Sequence, residues 1–167
     1  MDKIVGDFSQ AERIDEVTSG LNRAWYFDKR LVVYQVTKVT PKLLDTWSDL
    51  VIQTLTDWPK EHPYLAMHDL SAPGVAMIYA SLTSYDMLNL GVTPDGRLRA
   101  EEIFNQHLDF RAKVSVTFNL TLSGHIGKTL VNIYLDKHPS VQYKSFYGQD
   151  GALRWLTADL NASAAGV

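Results

Sequence analysis

The chain has no cysteine among its 167 residues. That removes disulfides, thiolate zinc sites and cysteine nucleophiles together, and it agrees with a reducing cytoplasm, the expected location. No apolar run approaches the roughly 20 residues that a membrane helix requires, so no membrane insertion is expected. The opening Met1-Asp2-Lys3-Ile4-Val5-Gly6-Asp7 lacks the apolar centre of a signal peptide. No large excess of either charge exists: 16 Lys and Arg face 19 Asp and Glu, a net charge of −3. A protein that grips a phosphate backbone needs a basic face, so nucleic acid is not an expected partner. What is present is ordinary for a folded domain, with 46% hydrophobic and 21% charged residues. At this length about two-thirds of the unfolded surface is buried, enough for one core without staples.

The order of elements can be read along the chain. Residues 1–23 form an extension in which 8–21 is expected to be a weak helix, with Ser9 and Glu12 at capping-box spacing and Gly20 at its end. The domain proper spans 24–160. It opens with a hairpin: Ala24-Trp25-Tyr26-Phe27, a turn at Asp28-Lys29-Arg30, then a strand over residues 31–39. Thr40-Pro41 starts a helix, since threonine caps and proline suits the first helical position. Leu43, Leu44, Trp47, Leu50, Val51 and Leu55 form its apolar stripe, with Asp45, Ser48, Asp49 and Gln53 outside. A buried strand over 63–70 follows, then helices over 75–90 and 98–108. An alternating strand covers 110–118, a helix 123–137, a strand 141–146 and a helix capped by Asp150. Residues 161–167 read as a disordered tail. Strands alternating with helices imply a mainly parallel sheet. The fold class is therefore α/β: a single mixed sheet of about five strands, opened by a hairpin and covered by amphipathic helices.

Three stretches carry a family resemblance. The middle strand ends His68-Asp69-Leu70-Ser71 and runs into a loop and helix. A strand from Phe110 to Phe118 precedes a helix from Ser123. The end reads Phe146-Tyr147-Gly148-Gln149-Asp150-Gly151-Ala152-Leu153-Arg154-Trp155-Leu156. Over roughly residues 25–156 this order resembles the STAS domain of bacterial anti-sigma-factor antagonists and its SpoIIAA-like relatives. The resemblance implies a regulatory module that engages a protein partner in bacterial signalling near the loop after the middle strand. It also implies a phosphorylatable serine there. This chain departs from the family at that point: the helix reads Gly74-Val75-Ala76-Met77-Ile78-Tyr79, with no serine before Ser81, and the segment from Leu90 to Leu108 is longer than the family needs.

Other patterns suggest chemistry and fail on inspection. Gly124-His125-Ile126-Gly127-Lys128-Thr129 resembles a nucleotide loop, but the Walker pattern needs an earlier glycine where Leu122 stands. His68 and Asp69 are adjacent on a strand and point to opposite faces, so they do not form a dyad with Ser71. A dispersed hydrolase set drawing on His107 or His125 is a further alternative. The five histidines show no metal-ligand spacing, and Glu101-Glu102 suits the first turn of a helix, where the dipole favours negative charge. No catalytic residue, metal or cofactor is therefore expected.

The functional surface is placed at the loop Asp69 to Gly74 and the helix start after it. Ligands of open α/β sheets favour the carboxyl ends of strands, and a helix start presents free N–H groups. Asp69, Ser71 and Gly74 are the candidate binding residues, and Ser71 and Ser81 the candidate phosphorylation sites. The expected partner is a protein. The alternative is a small-molecule or lipid-binding protein on the same fold, with an apolar or anionic ligand in an apolar pocket near Met67, Met77, Ile78 and Tyr79. A homodimer is compatible with either.

Overall fold

The computed structural model describes residues 11–82, 92–134 and 138–164. They form one six-stranded sheet and five helices. The strands are β1 (Arg13–Thr18), β2 (Leu21–Tyr26), β3 (Leu31–Val36), β4 (Tyr64–Asp69), β5 (Ala112–Phe118) and β6 (Val141–Tyr147). The helices are α1 (Pro41–Asp57), α2 (Val75–Leu82), α3 (Pro94–Gln106), α4 (Leu122–Tyr134) and α5 (Gln149–Ala164). The sheet order is β1-β2-β3-β4-β5-β6, antiparallel through β3 and parallel thereafter.

The first element corrects the sequence reading. Residues 13–18 are a strand paired with β2, not the later part of a helix over 8–21, and residues 1–10 lie outside the description. The reason is pairing: Arg13 to Thr18 alternate so that Asp15 and Val17 turn inward while Arg13, Ile14, Glu16 and Thr18 stay exposed, a charged edge strand with a register shift near its end. Charge and a bulge are the usual protection of a sheet edge. At the other terminus α5 continues to Ala164, so the helix takes in most of the segment read as a disordered tail.

Every parallel crossover advances by one strand. Crossovers of one hand that step in one direction leave their helices on one face. Accordingly, residues of α1 to α4 pack with Val32, Tyr34, Tyr64, Ala66, Val114 and Val116 in one core. The opposite face is covered by α5, whose Ala152, Leu153 and Leu156 meet Leu31, Val33, Leu65 and Met67.

Helix α1 starts where Thr40-Pro41 predicts: the Thr40 hydroxyl accepts from the Leu43 N–H, and the expected stripe is buried. Ser48, expected on the outer face, is buried instead. The segment that looked like an unneeded insertion supplies α3, which packs on α1 and brings Thr93 within 2.9 Å of the Ser48 hydroxyl. Thr93-Pro94 starts α3 with the same cap as Thr40-Pro41, so the helix begins four residues before the Leu98 expected from the sequence. The expected helix over 75–90 is described only to Leu82.

His68 occupies the centre of the larger core. Its ring lies between Tyr34 and Trp47, with centroids 5.1 and 5.3 Å away, and its buried Nδ1 has no partner among the described residues. Burial disfavours the imidazolium and pushes the pKa down to about 3. An unfolded histidine titrates near ~6.5. Between those values the unfolded chain holds a proton that the native state refuses, so stability falls as pH falls. The slope approaches about 1.4 kcal/mol per pH unit from this residue. Urea unfolding between about pH 7 and about pH 4.5 is expected to show this loss in the wild type and a shallower one in His68→Leu. Equal pH dependence in the two proteins would contradict the buried, neutral imidazole.

Candidate functional site

The loop after β4 is where the sequence places the site. Asp69 ends β4 only 8% exposed. Its Oδ1 accepts from the Thr117 hydroxyl at 2.7 Å and the Ser71 N–H at 3.1 Å, and its Oδ2 accepts from the Gln149 amide at 2.7 Å. The Asn119 amide donates to the Ser71 carbonyl at 2.9 Å. One carboxylate thus ties together β4, β5, the start of α5 and the loop. Ser71 is half-buried, and Gly74 sits at φ +77° with open space around it. Ser81 is exposed, and its hydroxyl donates to the Ile78 carbonyl. The loop brings Asp69 and Ser71 together and leaves Ser81 apart. Because the connections after β3, β4 and β5 all turn to the same face, they do not part around β4 to open a crevice of the kind found where strand order reverses.

Met67, Met77, Ile78 and Tyr79, expected to line one pocket, do not share a face. Met67 and Tyr79 are buried on opposite faces of the sheet, while Met77 and Ile78 are 38% and 46% exposed. The nucleotide-like glycines have packing roles. A Cβ on Gly127 would lie 2.5 Å from the Ala76 Cβ, and one on Gly124 would lie 2.1 Å from the Asn119 carbonyl oxygen. Leu122 already begins the helix, so no phosphate loop precedes it. Lys128 places its ammonium 3.9 Å above the Tyr147 ring, and His125 shares a 2.5 Å hydrogen bond with the Tyr147 hydroxyl rather than with a serine. Among the described residues no group of three His, Asp or Glu could hold a metal, and no helix is long and apolar enough to cross a membrane.

A cavity lies at the amino ends of the parallel strands, where no sequence motif points. It is a cleft of about 680 Å³ between the β1–β2–β3 strands and the end of α1. Register builds its strand wall: Arg13 opposes Trp25 and Asp15 opposes Arg23, so these side chains share the face that meets α1. Asp15 accepts from Arg13 at 2.6 Å, from both Nε and Nη2 of Arg23, and from the Trp25 indole at 3.1 Å. Burial alone would raise the Asp15 carboxyl, but the hydrogen bonds from Trp25, Arg13 and Arg23 outweigh it and hold it below the usual carboxylate range. Arg23 also donates to the Thr54 hydroxyl at 3.0 Å, which joins the strand wall to α1.

The helix wall is Gln53, Thr54, Asp57 and Trp58, followed by Pro59, Glu61 and His62. Trp58 caps α1 and stacks on Trp25, with centroids 6.3 Å apart and planes at 21°. The helix end is closed by Lys60, whose ammonium donates to the carbonyls of Leu55, Thr56 and Trp58. The third wall is the turn Phe27 to Arg30. Phe27, Asp28 and Lys29 all have left-handed φ, at 55°, 52° and 61°. Such a conformation costs a non-glycine residue about 1 kcal/mol or more. Glu12 accepts the Asp28 N–H at 2.8 Å, and the Arg30 N–H donates to the Phe27 carbonyl at 3.0 Å. Strain of this kind gathers at functional sites. The sequence reading placed the turn but not its handedness, and reading β1 as helix left Arg13 and Asp15 without a strand to line.

Replacing Asp69 with alanine is expected to leave the Thr117, Ser71 and Gln149 donors unpaired and to cost about 2–3 kcal/mol in chemical denaturation. An unchanged midpoint would show that the carboxylate is not the clasp of this loop.

Compared with known proteins, the chain matches no family model, no curated protein and no solved structure.

Proposed function

We propose that this protein is a non-enzymatic binding module for a small molecule, held in the cleft between the first three strands and the end of α1. One observation carries the reading: a concavity of about 680 Å³ walled by two tryptophans and several converging polar groups. Ligand pockets usually fall within about 300–1,000 Å³ and combine an apolar wall with a few placed polar groups. The left-handed turn and the shared Asp15 carboxylate hold two of the walls in place before any ligand arrives. The residues that would bind are therefore Trp25, Trp58, Arg13, Arg30 and Thr54, not Asp69 and Ser71.

A second reading keeps the STAS-like module, with a protein partner on the loop Asp69 to Gly74. Its support is the exposure of Met77 and Ile78 in the first turn of α2, directly after the open Gly74. Exposed apolar side chains grouped together mark contact surfaces. Phosphorylation of Ser71 would add charge beside the Asp69 carboxylate that bonds its N–H, and so loosen the clasp.

A thermal-shift screen of small molecules separates the two. A ligand at a hundredfold excess over its Kd adds about 2.7 kcal/mol to the native state. Hits are expected to stabilise the wild type and a Ser71→Glu protein alike. They are expected to lose their effect in Gln53→Trp, which fills the cleft from an exposed helical position. Hits that survive Gln53→Trp and vanish in Ser71→Glu would overturn the cleft reading.

A further inference from the structure

The hydrogen-bond inventory around the cleft is unbalanced in one direction. The Nε of Arg30 is shut off from water and has no acceptor, and among the described residues the guanidinium has no ion-pair partner. Trp58 is 4% exposed, and its indole Nε1, also shut off from water, has no acceptor among the described residues. Both groups are donors that cannot accept. Arg13 and Arg23, by contrast, already share Asp15. Arg30 is thus a partly desolvated cation on the cleft wall with nothing to answer it, and the strained turn before it fixes its position.

Resting on the reading of the cleft as a ligand site, we propose that its ligand is a flat aromatic ring carrying a single carboxylate, with Arg30 reading the charge. With Nε turned into the protein, a carboxylate meets the guanidinium end-on, with two parallel hydrogen bonds from its two Nη groups. The ring is set by the wall: Trp25, Trp58 and Pro59 offer apolar surface, and aromatic groups gain most against other aromatic groups. The single charge is set by the rim. Asp28, Asp57 and Glu61 stand exposed around the mouth and outnumber the one exposed lysine there, Lys29, so a second negative charge on the ligand meets more repulsion than attraction.

Isothermal titration with naphthoate, the neutral naphthalenemethanol and naphthyl phosphate tests the proposal. Naphthoate is expected to bind at least about tenfold more tightly than the other two. Arg30→Gln is expected to remove that tenfold advantage without changing the affinity for naphthalenemethanol, and Arg30→Lys to restore part of it. Arg154→Gln, exposed on α5 across the sheet, is expected to change nothing. Unfolding temperatures of the Arg30 variants confirm that they are folded. Equal affinity for the acid and the alcohol, or an unaltered Arg30→Gln, would overturn the charge assignment while leaving the cleft a ligand site. Tighter binding of the phosphate would overturn the monoanion. No binding of any naphthalene compound overturns the aromatic acid, and a library that also fails to distinguish the wild type from Gln53→Trp brings down the cleft reading beneath it.

Discussion

The architecture depends on one constraint: each parallel crossover moves a single strand in the same direction. Helices α1 to α4 must then share a face, and α5 covers the other. The crowded face has room for α1 along β3 and β4, yet β1 and β2 extend the sheet past it. The last turns of α1 lean over the strands there, through the Arg23–Thr54 hydrogen bond and the Trp25–Trp58 stack. The cleft is the space this overhang leaves. It is a product of topology, and the residues that line it are charged and aromatic because they stand where the core runs out.

The two edges of the sheet differ in how completely their polar groups are answered. At the carboxyl edge Asp69 receives three donors and Asn119 ties the Ser71 carbonyl. Groups satisfied in this way rigidify a structure. At the other edge Arg30 and Trp58 keep unanswered donors beside a left-handed turn of three non-glycine residues. Local rules are broken where function needs them broken. That contrast, more than the cavity's size, is what supports the proposed reading of the cleft.

Much of the fold could be read from the sequence. Thr40-Pro41 and the stripe from Leu43 to Leu55 mark α1 because cap and periodicity agree. The alternation of Val114, Val116 and Phe118 marks β5. The failures came where two local signals competed. Ser9 and Glu12 at capping-box distance are a local helix signal, and pairing with β2 overrides it to make residues 13–18 an edge strand. The helix expected from Leu98 starts at Pro94 instead, because Thr93-Pro94 repeats the Thr40-Pro41 cap and puts Asp95 and Gly96 in the first turn of α3. The cleft was not legible at all. It joins Arg13, Arg30 and Trp58, whose proximity follows from strand register and helix placement rather than from any motif. The Asp69 loop drew attention because its motif is local, and a local motif is as often a clasp as a site.

The central claim is that ligand contact occurs at the amino edge of the parallel strands. An amide chemical-shift map during titration with a mixture of small aromatic acids addresses it without choosing a compound in advance. The account predicts shifts clustered in residues 13–15, 23–31 and 53–62. Shifts clustered instead in residues 69–78 would contradict it.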